Sequence, residues 1–487
     1  MFWIISGYLI HALTILRVLQ RPHRDPAARA AWVLTVLALP FFGVIAYVMF
    51  GEIRLGRRRS ERLRRVRRNL ARNLPRIEST DPKAVTPYPA MPTSQAALFR
   101  VGQSISGFAP SFGNSAELLP DSLASTEAMI ADIDAARQHV HVEFYIWVAD
   151  ESGTAVAEAL IRAAERGVAV RAIADDLGSR RLIRSKLWQQ MKAAGVQMGR
   201  ASKVGNPFLR VIVGRIDLRN HRKIVVIDGS ITYCGSQNCA HPSFQQKRRY
   251  APWVDVMMRF EGPIAWQNQG VFLTDWLENK DETEDIGHLL EDRSPLHTPG
   301  LTAPEGVAAQ VVATGPGLRP SAMPEMFTSL IYSAQSELVI TTPYYVPSEA
   351  IQSALVAAAN RGVEVTMIFP KRNDSRLVGS ASRSYYADLV AAGVKIHEYR
   401  PGLLHSKTLV VDGTLGLIGS ANMDRRSFDL NFENNILFIG AGPATALRRR
   451  QDEYLADSDP VTASVIEGWH PLLRLWQNAV AIAGPVL

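Results

Sequence analysis

Over the first fifty residues apolar positions run together instead of alternating. Residues 30–50 (AAWVLTVLALPFFGVIAYVMF) carry no charge over 21 positions. At 1.5 Å per helical residue that is roughly 31 Å, enough for the roughly 30 Å hydrocarbon core of a bilayer. Pro40 is expected to kink such a helix, which a membrane segment tolerates. Residues 2–19 are apolar but shorter, and Arg17 interrupts their end. They read as a weaker second span, with an interfacial helix as the alternative. A cleaved signal peptide fits less well, because no basic stretch precedes the run and RPHRDPAAR is a poor small-residue cleavage site. The pattern predicts a transmembrane helical hairpin over residues 1–53.

Past a proline-containing linker (77–95) the pattern changes to short β-rich runs separated by helical ones, and it occurs twice. Residues 130–147, 159–176 and 191–198 have counterparts at 327–346, 354–371 and 389–396. Arg166-Gly167 corresponds to Arg361-Gly362 at an offset of 195, and Ala193-Ala194-Gly195-Val196 to Ala391-Ala392-Gly393-Val394 at 198. Gly167 suits the C-cap of a helix ending near Glu165, and VAVRAIAD after it is a strand pattern. Strands separated by helices predict α/β halves, each a sheet with helices on its faces. A period near 190 is too long for a solenoid, so the halves are duplicated domains able to meet face to face. We expect a juxtamembrane segment and linker at 54–95, domains at 96–290 and 291–470, and a terminal helix within 471–487. The acidic, proline-containing stretch 278–307 connects the halves. In the last segment Leu472, Leu475, Trp476, Ala479 and Val480 share one helical stripe. That stripe fits an interfacial helix as well as one packed on the core.

Composition sharpens this picture. At 47% hydrophobic and 21% charged residues the chain of 487 is not disordered. Two cysteines, Cys234 and Cys239, exclude a disulfide scaffold and an all-cysteine zinc site. The net charge is +8, yet residues 51–76 hold eleven arginines against Glu52 and Glu61, a net of +9, so the rest sums to −1. A near-neutral body with one basic stripe argues against a nucleic-acid binder. The stripe follows the second apolar segment, which by the positive-inside rule places the body in the cytoplasm. The stripe also suits anionic headgroups.

The chemistry recurs at matching points. His221-Arg222-Lys223 leads through four apolar residues to Asp228-Gly229, then Gly235-Ser236-Gln237-Asn238. His405-Ser406-Lys407 leads through Thr408 and three apolar residues to Asp412-Gly413, then Gly419-Ser420-Ala421-Asn422. His, Lys, Asp, Gly, Ser and Asn all repeat at one offset, 184. Residues two apart on a strand share a face, so His and Lys project together. Asp-Gly is a hairpin signal, and the returning strand brings Ser and Asn back toward the same point. Two imidazoles can divide nucleophilic attack and leaving-group protonation. Two ammonium and two amide groups can converge on oxyanion charge. An anion flanked in this way is a phosphodiester.

The two HxK(x)4D motifs, each followed by GSxN, resemble the phospholipase D superfamily. DLRNHRKIVVID, FEGPIA (260–265) and IGSANMDRRSFDLNFENN (418–435), together with the N-terminal hairpin, resemble bacterial cardiolipin synthases over essentially the whole chain. The resemblance implies two tandem phospholipase D-like α-β-α domains forming a pseudo-two-fold catalytic body. It implies His221 as nucleophile through a phosphatidyl-histidine and His405 as general acid and then base, an order that motif position alone leaves reversible. Lys223 and Lys407 would hold phosphate oxygens with Asn238 and Asn422, and Ser236 and Ser420 would bind or orient. Asp228 and Asp412 complete the catalytic motif, although their hairpin position suggests a structural task. Asp255 and Glu433, 34 and 28 residues after the histidine of their own half, are candidates to fix an imidazole tautomer. The family's reaction joins two phosphatidylglycerol molecules and releases glycerol, without metal or cofactor. Its partners would be phosphatidylglycerol and anionic membrane lipids, at the bacterial inner membrane and not nucleic acid.

Alternatives stay open within this resemblance: a hydrolase releasing phosphatidic acid, or a synthase using phosphatidylethanolamine as co-substrate. The oligomeric state, a homo-oligomer included, is not fixed. His11, His139, His141, His241, His288, His297, His397 and His470 lack matched motifs and read as structural. Cys234 and Cys239 read as buried thiols. Tyr145, Trp147, Tyr344 and Tyr345 follow equivalent strands and are expected in the core, or else lining a lipid groove.

Overall fold

The computed structural model describes residues 2–21, 26–52, 55, 61–63, 91–203, 215, 217–243, 245–279, 306–317, 319 and 321–482. Most of the arginine stripe, the linker up to residue 90 and the connection 280–305 lie outside the described residues.

The repeat in sequence is a repeat in topology. In the first half His139–Phe144, Ala169–Asp175 and Gln197–Ala201 pair in parallel, with helices Glu151–Glu165 and Lys186–Ala193 in the crossovers. Lys223–Ile227, Ile231–Gly235, Met257–Glu261 and Ser111–Leu118 continue the sheet antiparallel. In the second half Glu337–Thr341, Glu364–Pro370 and Lys395–Tyr399 are parallel. Thr408–Val411, Leu415–Gly419, Asn431–Ile439 and Val307–Thr314 then run antiparallel. Ser111–Leu118 pairs with Val307–Thr314, so one sheet of 16 strands passes through both halves.

Local sequence explains the crossovers. Asp150 accepts from the Gly153 N–H at 3.0 Å and caps helix Glu151–Glu165. At the other end Gly167 adopts φ +87°, with Val168 N–H on the Ala163 carbonyl and Gly167 N–H on that of Ala164. Gly362 repeats this at φ +89°. Only a residue without Cβ takes this conformation freely, which makes both glycines helix stops.

The core is shared as well. Ile224, Val226, Met258 and Phe260 of the first half pack in one cluster with Val410, Ile418, Ile436 and Phe438 of the second. Helix Thr93–Ser106 precedes the first half in sequence, yet its Leu98, Phe99 and Ile105 join Met326 and Leu330 of the second. The α/β tandem expectation holds, and the sheet fuses the two units.

The N-terminus departs from the expected hairpin of two continuous spans. Residues 2–20 form one helix, but the apolar run 30–50 is divided into Pro26–Ala38 and Pro40–Phe50. Pro40 lacks an N–H and restricts the residue before it, and Leu39 sits outside helical geometry (φ −125°, ψ 73°). The kink is thus a break. Among the described residues no helix is long and apolar enough to cross a membrane. The three helices pack through Val18, Val36 and Tyr47. Arg17 and Arg21 both pair with the buried Glu52, which also accepts from the Tyr47 hydroxyl at 3.0 Å. Leu13, Leu37, Phe41, Phe42 and Ile45 are left exposed.

Candidate active site

Each motif histidine sits where its strand is tied to the other half. Arg219–Asn220 pairs in parallel with the start of Asn431–Ile439, in register Arg219↔Asn431 and Asn220↔Phe432. Leu403–Leu404 pairs in the same way with Trp253–Val254. The next N–H on each side continues the pattern, His221 to the Phe432 carbonyl at 2.9 Å and His405 to that of Val254 at 2.8 Å.

The residues that follow those carbonyls are Glu433 and Asp255, and the register delivers them to the opposite histidine. His221 Nδ1 lies 2.9 and 3.1 Å from the Glu433 carboxylate oxygens. His405 Nδ1 lies 2.6 Å from Asp255 Oδ1. The pairing expected within each half is therefore crossed, because the strand exchange puts each carboxylate beside the other half's ring. The serines hold these acids. Ser236 Oγ donates to Asp255 at 2.6 Å and Ser420 Oγ to Glu433. Each serine oxygen also accepts a backbone N–H, from Val256 and Asn434 respectively. Both serines are fully buried, with their hydroxyls committed to these carboxylates.

The charged groups are buried. Lys223 Nζ donates to the His221 carbonyl and Lys407 Nζ to that of His405, each at 2.6 Å. Burial lowers Lys223 to about 7 and Lys407 to about 8; Glu433 and Asp255 oppose the shift, and the Lys407 charge adds to it at Lys223. Burial is also the first cause lowering His221 to about 4, assisted by Lys223 and Lys407 against Glu433. His405 is lowered by burial and by both lysines, against Asp255. Both acids fall below their ordinary range: burial pushes them up, and the facing imidazole and lysine more than offset it. Neutral imidazoles beside ionised carboxylates carry the proton on Nδ1, which leaves each Nε2 lone pair open. Among the described residues no group hydrogen-bonds either Nε2. Lys407 acts electrostatically on His221 and Lys223 on His405, so all four groups share one site.

Asn238 and Asn422 are buried beside it. Asn238 Oδ1 accepts the Ile146 N–H at 3.2 Å, and Asn422 Oδ1 has no hydrogen-bond partner among the described residues. Asp228 and Asp412 are not brought to the site. Each lies past the far end of its strand, and five strand residues span about 17 Å. Asp228 accepts the N–H groups of Arg137, Gln138 and His139 at 2.8–2.9 Å. Asp412 accepts those of Gln335, Ser336 and Glu337 at 2.8–3.0 Å. Both motif aspartates thus fasten backbone N–H groups at the end of the sheet away from the histidines. The turn spans three residues between the paired ends Ile227 and Ile231.

Several neighbours escaped the sequence reading. Arg222 is buried, contacts Asp275, and donates to the Glu433 carbonyl at 3.2 Å and the Thr314 carbonyl at 3.1 Å. Arg219 pairs with Asp175, both buried. Only the phrase DLRNHRK hinted at them. Trp147 and Tyr345 are core. Tyr145 stands edge-on to His221 with ring centroids 4.9 Å apart, while Trp253 covers His405 at 4.8 Å. Cys234 and Cys239 are buried, their thiols pushed up by burial, Cys234 to about 12. His141 stacks on Phe272.

Two copies of the family described as "Cardiolipin synthase, PLD-like domain" match residues 129–254 and 327–452. The family described as "Phospholipase_D-nuclease N-terminal" matches 9–52. Cardiolipin synthase A of Serratia proteamaculans is 37% identical over 475 residues, 96% of each chain. That of Citrobacter koseri is 39% identical over 459 residues, 93% of this chain and 92% of its own. The crystal structure of phosphatidylserine synthase from Haemophilus influenzae shares the fold, with a TM-score of 0.59 at 15% identity, covering 80% of this chain and 100% of that one. With both halves matched and relatives aligned from end to end, the chain belongs to the cardiolipin synthase family of phospholipase D-like proteins.

Proposed function

We propose that the protein is a cardiolipin synthase, a phosphatidyltransferase that joins two phosphatidylglycerol molecules and releases glycerol. The observation that carries this reading is the crossed pair of histidine–carboxylate couples with two buried lysines in one site. A phosphodiester bound between the lysines restores the charge balance that burial disturbs. His221 Nε2 attacks phosphorus, the phosphorus–oxygen bond to the head glycerol breaks, and His405 gives that oxygen its proton. The anionic phosphate raises the proton affinity of His405, which the lysines hold low in the empty site. A hydroxyl of a second phosphatidylglycerol then loses its proton to His405 and attacks, freeing His221. Lys223, Lys407, Asn238 and Asn422 stabilise the oxyanion charge. Asp255 and Glu433, held by Ser236 and Ser420, fix the tautomers. Residues 1–53 would hold this site at the bacterial inner membrane with the body cytoplasmic. Arg215 donates to the Phe50 carbonyl at 2.8 Å, joining the apolar helices to the body six residues before His221. Water must be kept from the phosphatidyl-enzyme, or phosphatidic acid forms instead.

The test is a product assay on the full chain in nanodiscs of phosphatidylglycerol with a chelator present. Cardiolipin and glycerol are expected, and lost in His221→Ala and His405→Ala. Phosphatidic acid alone would make the protein a hydrolase. A phosphatidyl ester of a nitrophenol, whose leaving group needs no acid, assigns the two histidines. His405→Ala and Asp255→Asn should still release nitrophenol, whereas His221→Ala and Glu433→Gln should lose about 10²–10⁴-fold. The opposite pattern reverses the assignment.

A further inference from the structure

The chain's last described helix, Pro471–Ile482, is docked by one face and open on the other. Gln477 and Val480 are buried, Val480 packing with Val346 and Ala381. Trp476 Nε1 donates to Ser380 Oγ at 3.3 Å, and Arg474 holds the carbonyls of Ile466 and Glu467. The outward stripe is apolar: Leu472 is 69% exposed, Leu475 66%, Trp476 52% and Ile482 81%. Beneath Trp476 lies a cleft of about 370 Å³ whose walls carry Lys371, Arg376 and Arg383 against a single acid, Glu398. Arg383 pairs with Glu398 and Lys371 with Asp459 outside the cleft. Arg376 is exposed and has no ion-pair partner among the described residues. The cleft also adjoins the reaction centre. Its wall residues Pro343 and Asn373 are bonded to each other and precede Tyr344 and Asp374, which are bonded in turn. Asp374 acts electrostatically on Lys407.

An apolar helical stripe with tryptophan at its edge suits the boundary between headgroups and acyl chains. A cationic cleft at the same edge suits a phosphate at headgroup depth. We propose that this cleft is a second lipid site, taking the phosphate of an anionic bilayer phospholipid while Leu472, Leu475 and Ile482 enter the acyl region. The helix would hold the second half against the same surface to which the N-terminal helices hold the first. This rests on the reading of the protein as an enzyme of the bilayer surface.

The test needs no turnover, so it fails separately from the proposed activity. The full chain carrying Leu475→Cys is labelled with an environment-sensitive dye; Cys234 and Cys239 are buried, and unsubstituted protein is the control for their labelling. It is reconstituted in vesicles of phosphatidylcholine alone or with phosphatidylglycerol added. With phosphatidylglycerol, quenching by aqueous acrylamide is expected to fall at least threefold and quenching by nitroxide-bearing lipid to appear. Arg376→Glu should abolish that difference, and Leu472→Glu should keep the dye in water in both vesicles. Both substituted side chains are exposed, so the fold is retained. A dye equally open to acrylamide in both vesicle types overturns the proposal. So does insertion that is independent of phosphatidylglycerol and of Arg376.

Discussion

The two lysines are the residues whose state at neutral pH is set most directly by burial. Lys223 falls to about 7 and Lys407 to about 8, whereas an exposed ammonium titrates near 10.4. Both must be charged to hold a phosphodiester, and kcat/KM reports the free enzyme. We therefore expect kcat/KM to decline from pH 7 to 8 upward, well below the range of ordinary lysines. It should decline at the acid end near pH 4, where His221 takes up the proton that blocks attack. The sign for stability is opposite to that for activity. The unfolded chain binds more protons at these lysines between pH 7 and their ordinary value, so their contribution to stability rises with pH across that window. A pH series of initial rates at low substrate, beside thermal unfolding in the same buffers, checks both. An alkaline limb only above pH 10 would show that the lysines are not the phosphate holders. The residues themselves were legible, because repetition at one offset separates His221 and His405 from the other histidines. The acids Asp255 and Glu433 were legible as tautomer-fixing candidates, but the ring each one serves was not, since they reach the opposite half's histidine through a strand register that no local pattern encodes.

The strand-and-turn unit carries the motif's third member. Asp228 and Asp412 take left-handed backbone at φ +49° and +48°, a region that asparagine and aspartate enter more readily than other side chains. From there each carboxylate accepts three consecutive N–H groups at the start of the neighbouring antiparallel strand, His139–Phe144 or Glu337–Thr341. The hairpin is pinned to the sheet at the far end of the strand from the histidines. Asp228→Ala should lower stability by about 2–4 kcal/mol, through three orphaned N–H groups and a strained turn, while the folded fraction keeps kcat within a few-fold. Asp228→Asn, which tolerates the same φ and retains one acceptor oxygen, should lose about half as much. Denaturant unfolding with activity measured in the native baseline tests this. A Asp228→Ala protein of unchanged stability and abolished kcat would return the residue to catalysis. Helix stops at Gly167 and Gly362 and the Asp-Gly turns were readable because they depend on nearest neighbours. The break at Leu39 was read too gently: the restraint that Pro40 places on the preceding residue was outweighed by the apolar run around it.

At the scale of the whole molecule, the crossed couples make the reaction centre a property of both halves and of one chain. The halves are fused by the pairing of Ser111–Leu118 with Val307–Thr314, by the mixed core around Ile224 and Ile436, and by the two short parallel ladders that carry His221 and His405. Each ladder borrows its partner strand from the other half of the same polypeptide, so a complete site needs no second copy. This separates two kinds of assembly. If sites were shared between subunits, mixing His221→Ala with His405→Ala chains would form some sites with both histidines intact, and activity would return toward one quarter of wild type. With both histidines supplied by one chain, every site in the mixture lacks one of them. We expect co-reconstituted variants to stay below about 1% of wild type at any ratio, in the same lipid that supports full turnover of the unsubstituted protein. Rescue on mixing would mean that strands exchange between chains, with Arg219–Asn220 of one copy laid against Asn431–Phe432 of another. That arrangement would preserve every local contact at the site and change only which chain supplies it.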